Sequence, residues 1–228
     1  TGKVKGQDNV GGLVGWNHGF KNGSVINCSA TGDVNSSGEN VGGLVGWNDG
    51  GGVKHSSAFG KVNGNDYVGG LIGLNQGLAD NSSASGDVLG EGNYVGGLIG
   101  INEREDVKNC SASGDVTGKG DYVGGLIGYS FRNVEDCSAS GNVSGNRYVG
   151  GLVGKCSSGW MERCHASGDV NGSGDYVGGL IGENQLWGLE NSYATGNVNG
   201  GGKYVGGLIG HNDMCEIENC YATGDVNG

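Results

Sequence analysis

Seven cysteines, four histidines and a recurring Gly-Asp-Val-x-Gly-x-Gly-Asp stretch are the parts of this 228-residue chain whose types could do chemistry. Cys28, Cys110, Cys137, Cys164 and Cys220 fall at one position of an internal pattern, which Ser56, Ser82 and Ser192 complete. Exchange of serine for cysteine suits a row of small buried side chains, and no paired short spacing of a zinc site is present. Cys156 and Cys215 lie outside that position, in variable segments near Cys164 and Cys220, so local Cys156–Cys164 and Cys215–Cys220 disulfides are possible pairings. An odd count leaves at least one thiol over. His18, His55, His165 and His211 are scattered, without a His-Glu-x-x-His motif. No acid–base pair recurs beside a histidine or cysteine, so the expectation is a chain that is not an enzyme and needs no cofactor or metal. The aspartates of Gly114 to Asp121 and Gly168 to Asp175 would offer oxygen ligands of the kind calcium prefers. The second acid, however, becomes Glu39, Arg147 or Lys203 elsewhere and the turn length varies, which favours solvated turn residues.

Binding chemistry has other candidates. Phe20, Phe131, Trp160 and Trp187 sit in variable segments and form a candidate contact edge for a glycan or protein. The bland alternative is that they cover a hydrophobic rim. Paired hydroxyls at Ser29 and Thr31, Ser111 and Ser113, and Ser138 and Ser140 suggest a regular array of the kind that could order ice, although Phe59, His165, Tyr193 and Tyr221 interrupt it. Asn27, Asn81, Asn109, Asn191 and Asn219 share one position, and a ladder of stacked amides is expected there. Sequons at Asn22, Asn27, Asn35, Asn81, Asn109, Asn142 and Asn171 matter only in a glycosylating host.

All these residues are positioned by a repeat. Gly-Gly-Leu begins at Gly11, Gly42, Gly69, Gly96, Gly124, Gly150, Gly178 and Gly206, in steps of 31, 27, 27, 28, 26, 28 and 28 residues. A Val precedes each block, and Val or Ile and then Gly follow it. An Asn usually comes two positions later, as at Asn75 and Asn102. A second block reads Asn109-Cys110-Ser111-Ala112-Ser113-Gly114-Asp115-Val116 in the fourth repeat. It alternates with a period of two, the signature of a half-buried strand. Cys110, Ala112, Gly114 and Val116 form the inner face, and the Ala position holds alanine in all eight repeats, from Ala30 to Ala222. Both parities of the Val-Gly-Gly-Leu-Ile-Gly block are apolar, which leaves open whether the glycines bend the chain or both sides are covered.

Helix periodicity is absent, and 55 glycines would each cost about 1 kcal/mol in helix interiors. A propeller blade needs more residues and four strands. The repeat therefore predicts an all-β parallel β-solenoid (β-helix) of about eight coils, 26–31 residues each, with two or three short strands per coil. Crossover preference makes it right-handed. Residues 1–228 read as a single repeat array, uncapped at both ends, which implies either part of a longer protein or head-to-tail self-stacking. Thirteen basic against 24 acidic residues give a net charge of −11, and without a basic stripe no nucleic-acid partner is expected. No apolar run is long enough to span a bilayer.

The combined pattern, Val-Gly-Gly-Leu-(Val/Ile)-Gly-x-Asn followed by Asn-Cys-(Ser/Tyr)-Ala-(Ser/Thr)-Gly-Asp-Val, resembles the GLUG motif family over nearly the whole chain. That resemblance implies an extracellular or cell-surface repeat region, structural or adhesive, and supplies no catalytic residue. The expected partners are a second copy of the chain or a host-surface glycan or protein.

Overall fold

The computed structural model describes residues 2–19 and 23–228. Among these residues every regular element is a strand, and the strands stack into five parallel sheets, one of nine strands and four of eight. A representative coil runs through five segments: Val116–Gly118, Val123–Gly124, Ile127–Ser130, Val134–Glu135 and Ser138–Ala139. Each pairs in register with its equivalent in the coils before and after, as Val116 does with Val88 and Val143. The chain is an all-β parallel solenoid of eight coils. Five short segments replace the two or three short strands expected. A coil of about 27 residues must close on itself, and each corner ends the extended run.

Two corners recur in left-handed backbone. One is the column Asn9, Asn40, Tyr67, Tyr94, Tyr122, Tyr148, Tyr176 and Tyr204, with φ between 53° and 67°. The other contains Asn27, His55, Asn81, Asn109, Asp136, Arg163, Asn191 and Asn219, with φ between 47° and 54°. Asparagine is the non-glycine residue that enters this region most readily, which accounts for its five places at the second corner. The second corner is where stacked amides were expected. Its side chains instead turn outward: Asn81 and Asn109 both donate to the Asp80 carboxylate.

The Val-Gly-Gly-Leu-Ile-Gly block does both things its sequence allowed. It bends between Val123–Gly124 and Ile127–Ser130, and all six residues from Val123 to Gly128 are buried. Valines before the bend join the Val116 column in an all-valine core, from Val10 to Val198. Leucines and isoleucines after it pack with the alanine and cysteine columns in a second core, which includes Leu126, Ile127, Ala139 and Cys137. The glycines set the separation. A Cβ on Gly125 would lie 3.0 Å from the Ala139 Cβ and against the Gly151 carbonyl. That close approach explains why the alanine column never varies: a larger side chain there would meet backbone.

Candidate functional site

The cysteine column is a hydrogen-bonded row. The Cys110 thiol donates to the Lys108 carbonyl at 3.1 Å, and the Cys137 sulfur accepts the Cys110 N–H at 3.4 Å. Ser56 and Ser82 make the same contacts: the Ser56 hydroxyl donates to the Lys54 carbonyl at 2.8 Å, and the Ser82 hydroxyl accepts the Ser56 N–H at 3.1 Å. A hydroxyl and a thiol are interchangeable there. All seven cysteines are free thiols, so Cys156 and Cys164, and Cys215 and Cys220, stand unbridged. The hydrogen bond with Cys137, reinforced by burial, pushes the Cys110 thiol well above the ordinary range, and burial does the same to Cys156. Such thiols resist ionisation and are poor nucleophiles.

The aspartates of the Gly-Asp-Val turn are also structural. Asp115 accepts the N–H of Asn142 at 2.8 Å, Asn142 that of Asp169 at 3.0 Å, Asp169 that of Asn197 at 2.8 Å, and Asn197 that of Asp225 at 3.0 Å. From Asp115 onward, alternation of Asp with Asn keeps the carboxylates about two rungs, roughly 10 Å, apart; Asp87 lies one rung from Asp115 and is paired with Lys61. Among the described residues no group of three or more His, Cys, Asp or Glu forms a metal-holding cluster.

Two polar and aromatic rows went unrecognised in the sequence. The first is an amide ladder on the Asn following each glycine block. Asn17 donates to Asn48 at 2.8 Å, Asn48 to Asn75 at 2.8 Å and Asn75 to Asn102 at 2.7 Å. Asn48, Asn75 and Asn102 are fully buried. Ser130 and Cys156 interrupt the row, and Asn184 donates to Asn212 at 2.9 Å beyond them. The constancy of that asparagine column was the available signal. The second row is a stack of six tyrosines, Tyr67 to Tyr204, with centroids 4.7–5.0 Å apart and planes within 13° of parallel. Its rings spend their faces on one another, so the row shows edges and hydroxyls outward. Trp16 and Trp47 stack in the neighbouring column, which continues through Tyr129 to Lys155, Glu183 and His211. Lys155 Nζ lies 2.6 Å from Glu183 Oε2, and 5.4 Å above the Tyr148 ring. Burial alone would lower the Lys155 pKa; the hydrogen bond and charge of Glu183 carry it above the usual value.

The predicted contact edge is only partly an edge. Phe20, like the sequon at Asn22, lies outside the described residues. Phe131 is half-buried and packs on Tyr129 at 4.3 Å, a rim-covering role. Trp160 and Trp187 are 44% and 68% exposed and occupy adjacent coils, joined where the Trp187 N–H donates to the Gly159 carbonyl at 3.0 Å. The hydroxyl array exists as a sheet face, with Ser57 and Ser83 hydroxyls 3.0 Å apart. It ends in a stack of His165, Tyr193 and Tyr221.

No curated protein and no solved structure matches the chain. The family model described as the GLUG motif matches residues 6–35, 37–63, 64–89, 91–117, 120–144, 173–199 and 201–227. The unmatched stretch, 145–172, is the coil carrying Lys155, Cys156, Trp160 and Arg163, and it keeps the same strands and register as its neighbours. Seven matches in the register of the coils cover most of the sequence: the chain belongs to the GLUG motif family.

Proposed function

We propose that this chain is a non-catalytic, stiff structural segment of a larger extracellular or cell-surface protein, holding adhesive contacts at a distance from their anchor. The observation that carries the reading is the unbroken register of all five sheets along the eight coils. Each rung adds about 4.8 Å, so the array is a rod on the order of 40 Å long. Bending it requires breaking parallel hydrogen-bond ladders and separating two close-packed cores. Repeat arrays of this kind transmit load between neighbours and offer long surfaces rather than enclosed pockets. Electron microscopy with small-angle scattering of the purified chain tests the reading. Isolated rods of the stated length support it, and filaments of end-to-end rods would make the chain its own partner. A flexible or near-spherical particle would refute it.

A further inference from the structure

We propose that the tyrosine row from Tyr67 to Tyr204 is a site of oxidative modification, where a one-electron oxidant of the peroxidase class joins rings of adjacent coils as dityrosine. The first argument is register. Each ring leaves the same left-handed corner, with φ between 53° and 67°, so successive side chains set out in the same direction. From Tyr67 to Tyr176 neighbouring planes differ by only 3–4°. Rings in such contact exchange an electron readily, so a radical made on one phenol passes along the row. Towards the start of the chain the row ends at Tyr67, because Asn40 and Asn9 hold the same corner in the coils before it.

The second argument is exposure. Tyr67 to Tyr176 are partly buried and Tyr204 is exposed, with their hydroxyl edges towards solvent. The thiols of Cys110, Cys137 and Cys164 are sealed in the core. A diffusing oxidant therefore meets the phenols and not the thiol column.

The third argument is charge. Arg147 stands over the rings of Tyr148 and Tyr176, and Lys155 over Tyr148. A cation over a ring is attracted by its electrons and opposes their removal. The charged groups acting on Tyr67 are instead the carboxylates of Glu39, Asp66 and Glu103. Asp66 and Asp121 act on Tyr94, against Lys155. Electron loss is thus favoured at the Tyr67–Tyr94 end, where carboxylates also stand ready to take the proton.

The chemistry balances without a further reactant. Two phenols each lose one electron and the hydroxyl proton, and the two radicals pair in a bond between ring carbons ortho to oxygen. The hydrogens on those carbons then move to the oxygens and restore both phenols. The two electrons and two protons released reduce one hydrogen peroxide to two waters. Each link fastens one coil to the next. The proposal is independent of the rod reading, since a rod without such links remains a rod.

The test treats the dilute full chain with a haem peroxidase and hydrogen peroxide, isolates the monomer and reads dityrosine fluorescence. Proteolysis after Glu91, which lies between Tyr67 and Tyr94, should leave their two fragments joined, lighter than their sum by two hydrogens. Two variants then isolate adjacency, both carrying Tyr129→Phe because that ring lies 5.4 Å from Tyr122. Tyr94→Phe/Tyr148→Phe/Tyr204→Phe leaves no neighbouring tyrosines in the row. Tyr148→Phe/Tyr176→Phe/Tyr204→Phe removes as many but keeps Tyr67, Tyr94 and Tyr122 in contact. The first is expected to form at least about fivefold less dityrosine in the row, its tyrosines standing about two rungs apart. Circular dichroism checks that each variant keeps its fold. Equal coupling in the two folded variants would overturn the proposal. If either fails to fold, the map of the unmutated chain decides. Links only between molecules, links only at the separate Tyr193–Tyr221 stack, or oxidation confined to tryptophan and methionine would each overturn it.

Discussion

A buried amide that both donates and accepts along the solenoid axis contributes little by its own hydrogen bonds, because water offers the same. Removing it is expensive, since the partners above and below remain buried. Asn75 stands between Asn48 and Asn102, and all three are sealed from solvent. Asn75→Ala is therefore expected to destabilise the array by about 1–3 kcal/mol, read from urea midpoints. The reverse change lies at the break in the row. Ser130→Asn combined with Cys156→Asn would join the upper and lower ladders, and the midpoint should rise. A fall would mean that the smaller side chains were selected by local packing in those coils rather than tolerated. Either result separates hydrogen bonding from volume at one column.

Stacking acts on whole columns. Tyr122 lies between Tyr94 and Tyr148 at centroid distances of 4.8 and 4.7 Å, in a left-handed backbone that a β-branched residue would strain. Burial, reinforced by neighbouring phenols, raises the Tyr94 and Tyr122 hydroxyls above their ordinary value of 10.0; burial is also the largest cause for Tyr67 and Tyr176. The folded state thus keeps phenolic protons that the unfolded chain releases. Above pH 10 the unfolded chain binds fewer protons, so stability must fall as pH rises, while below pH 10 this contribution is fully present. The expected outcome is alkaline unfolding above about pH 10, accompanied by phenolate absorbance. Replacing Tyr94, Tyr122 and Tyr148 together by asparagine, as at Asn9 and Asn40, should lower stability at neutral pH and flatten its alkaline decline. An unchanged alkaline decline would remove the tyrosine row as its cause.

For the molecule as a whole, each coil touches mainly its neighbours, so stability is close to a sum of coil and interface contributions. Deleting residues 96–123, one 28-residue step from Gly96 to Gly124, rejoins Val95 to Gly124 and leaves every column in register. The shortened chain is expected to stay folded, with its long dimension reduced by about 4.8 Å. Collapse to an unfolded or aggregated chain would show that the coils depend on contacts beyond their neighbours. The same periodicity made most of the architecture legible from sequence. The Gly-Gly-Leu spacing gave the number of coils, and the Cys110 to Val116 alternation gave the inner and outer faces. Less was legible at the surfaces, because whether Trp160 offers a face or Tyr122 an edge depends on what the adjacent coil puts beside it.

By itself the sequence determined the repeat length, the parallel stacking and the residues of the small-residue core. These follow from side-chain size and a period of two, which are local properties repeated eight times. Tertiary structure alone decided the separate all-valine core, the buried asparagine ladder at Asn48, Asn75 and Asn102, and the lone guanidinium among stacked carboxylates at Arg163. Each of those depends on the residue one coil away. That neighbour is set by how five corners close the coil, and no stretch of a single repeat contains the information.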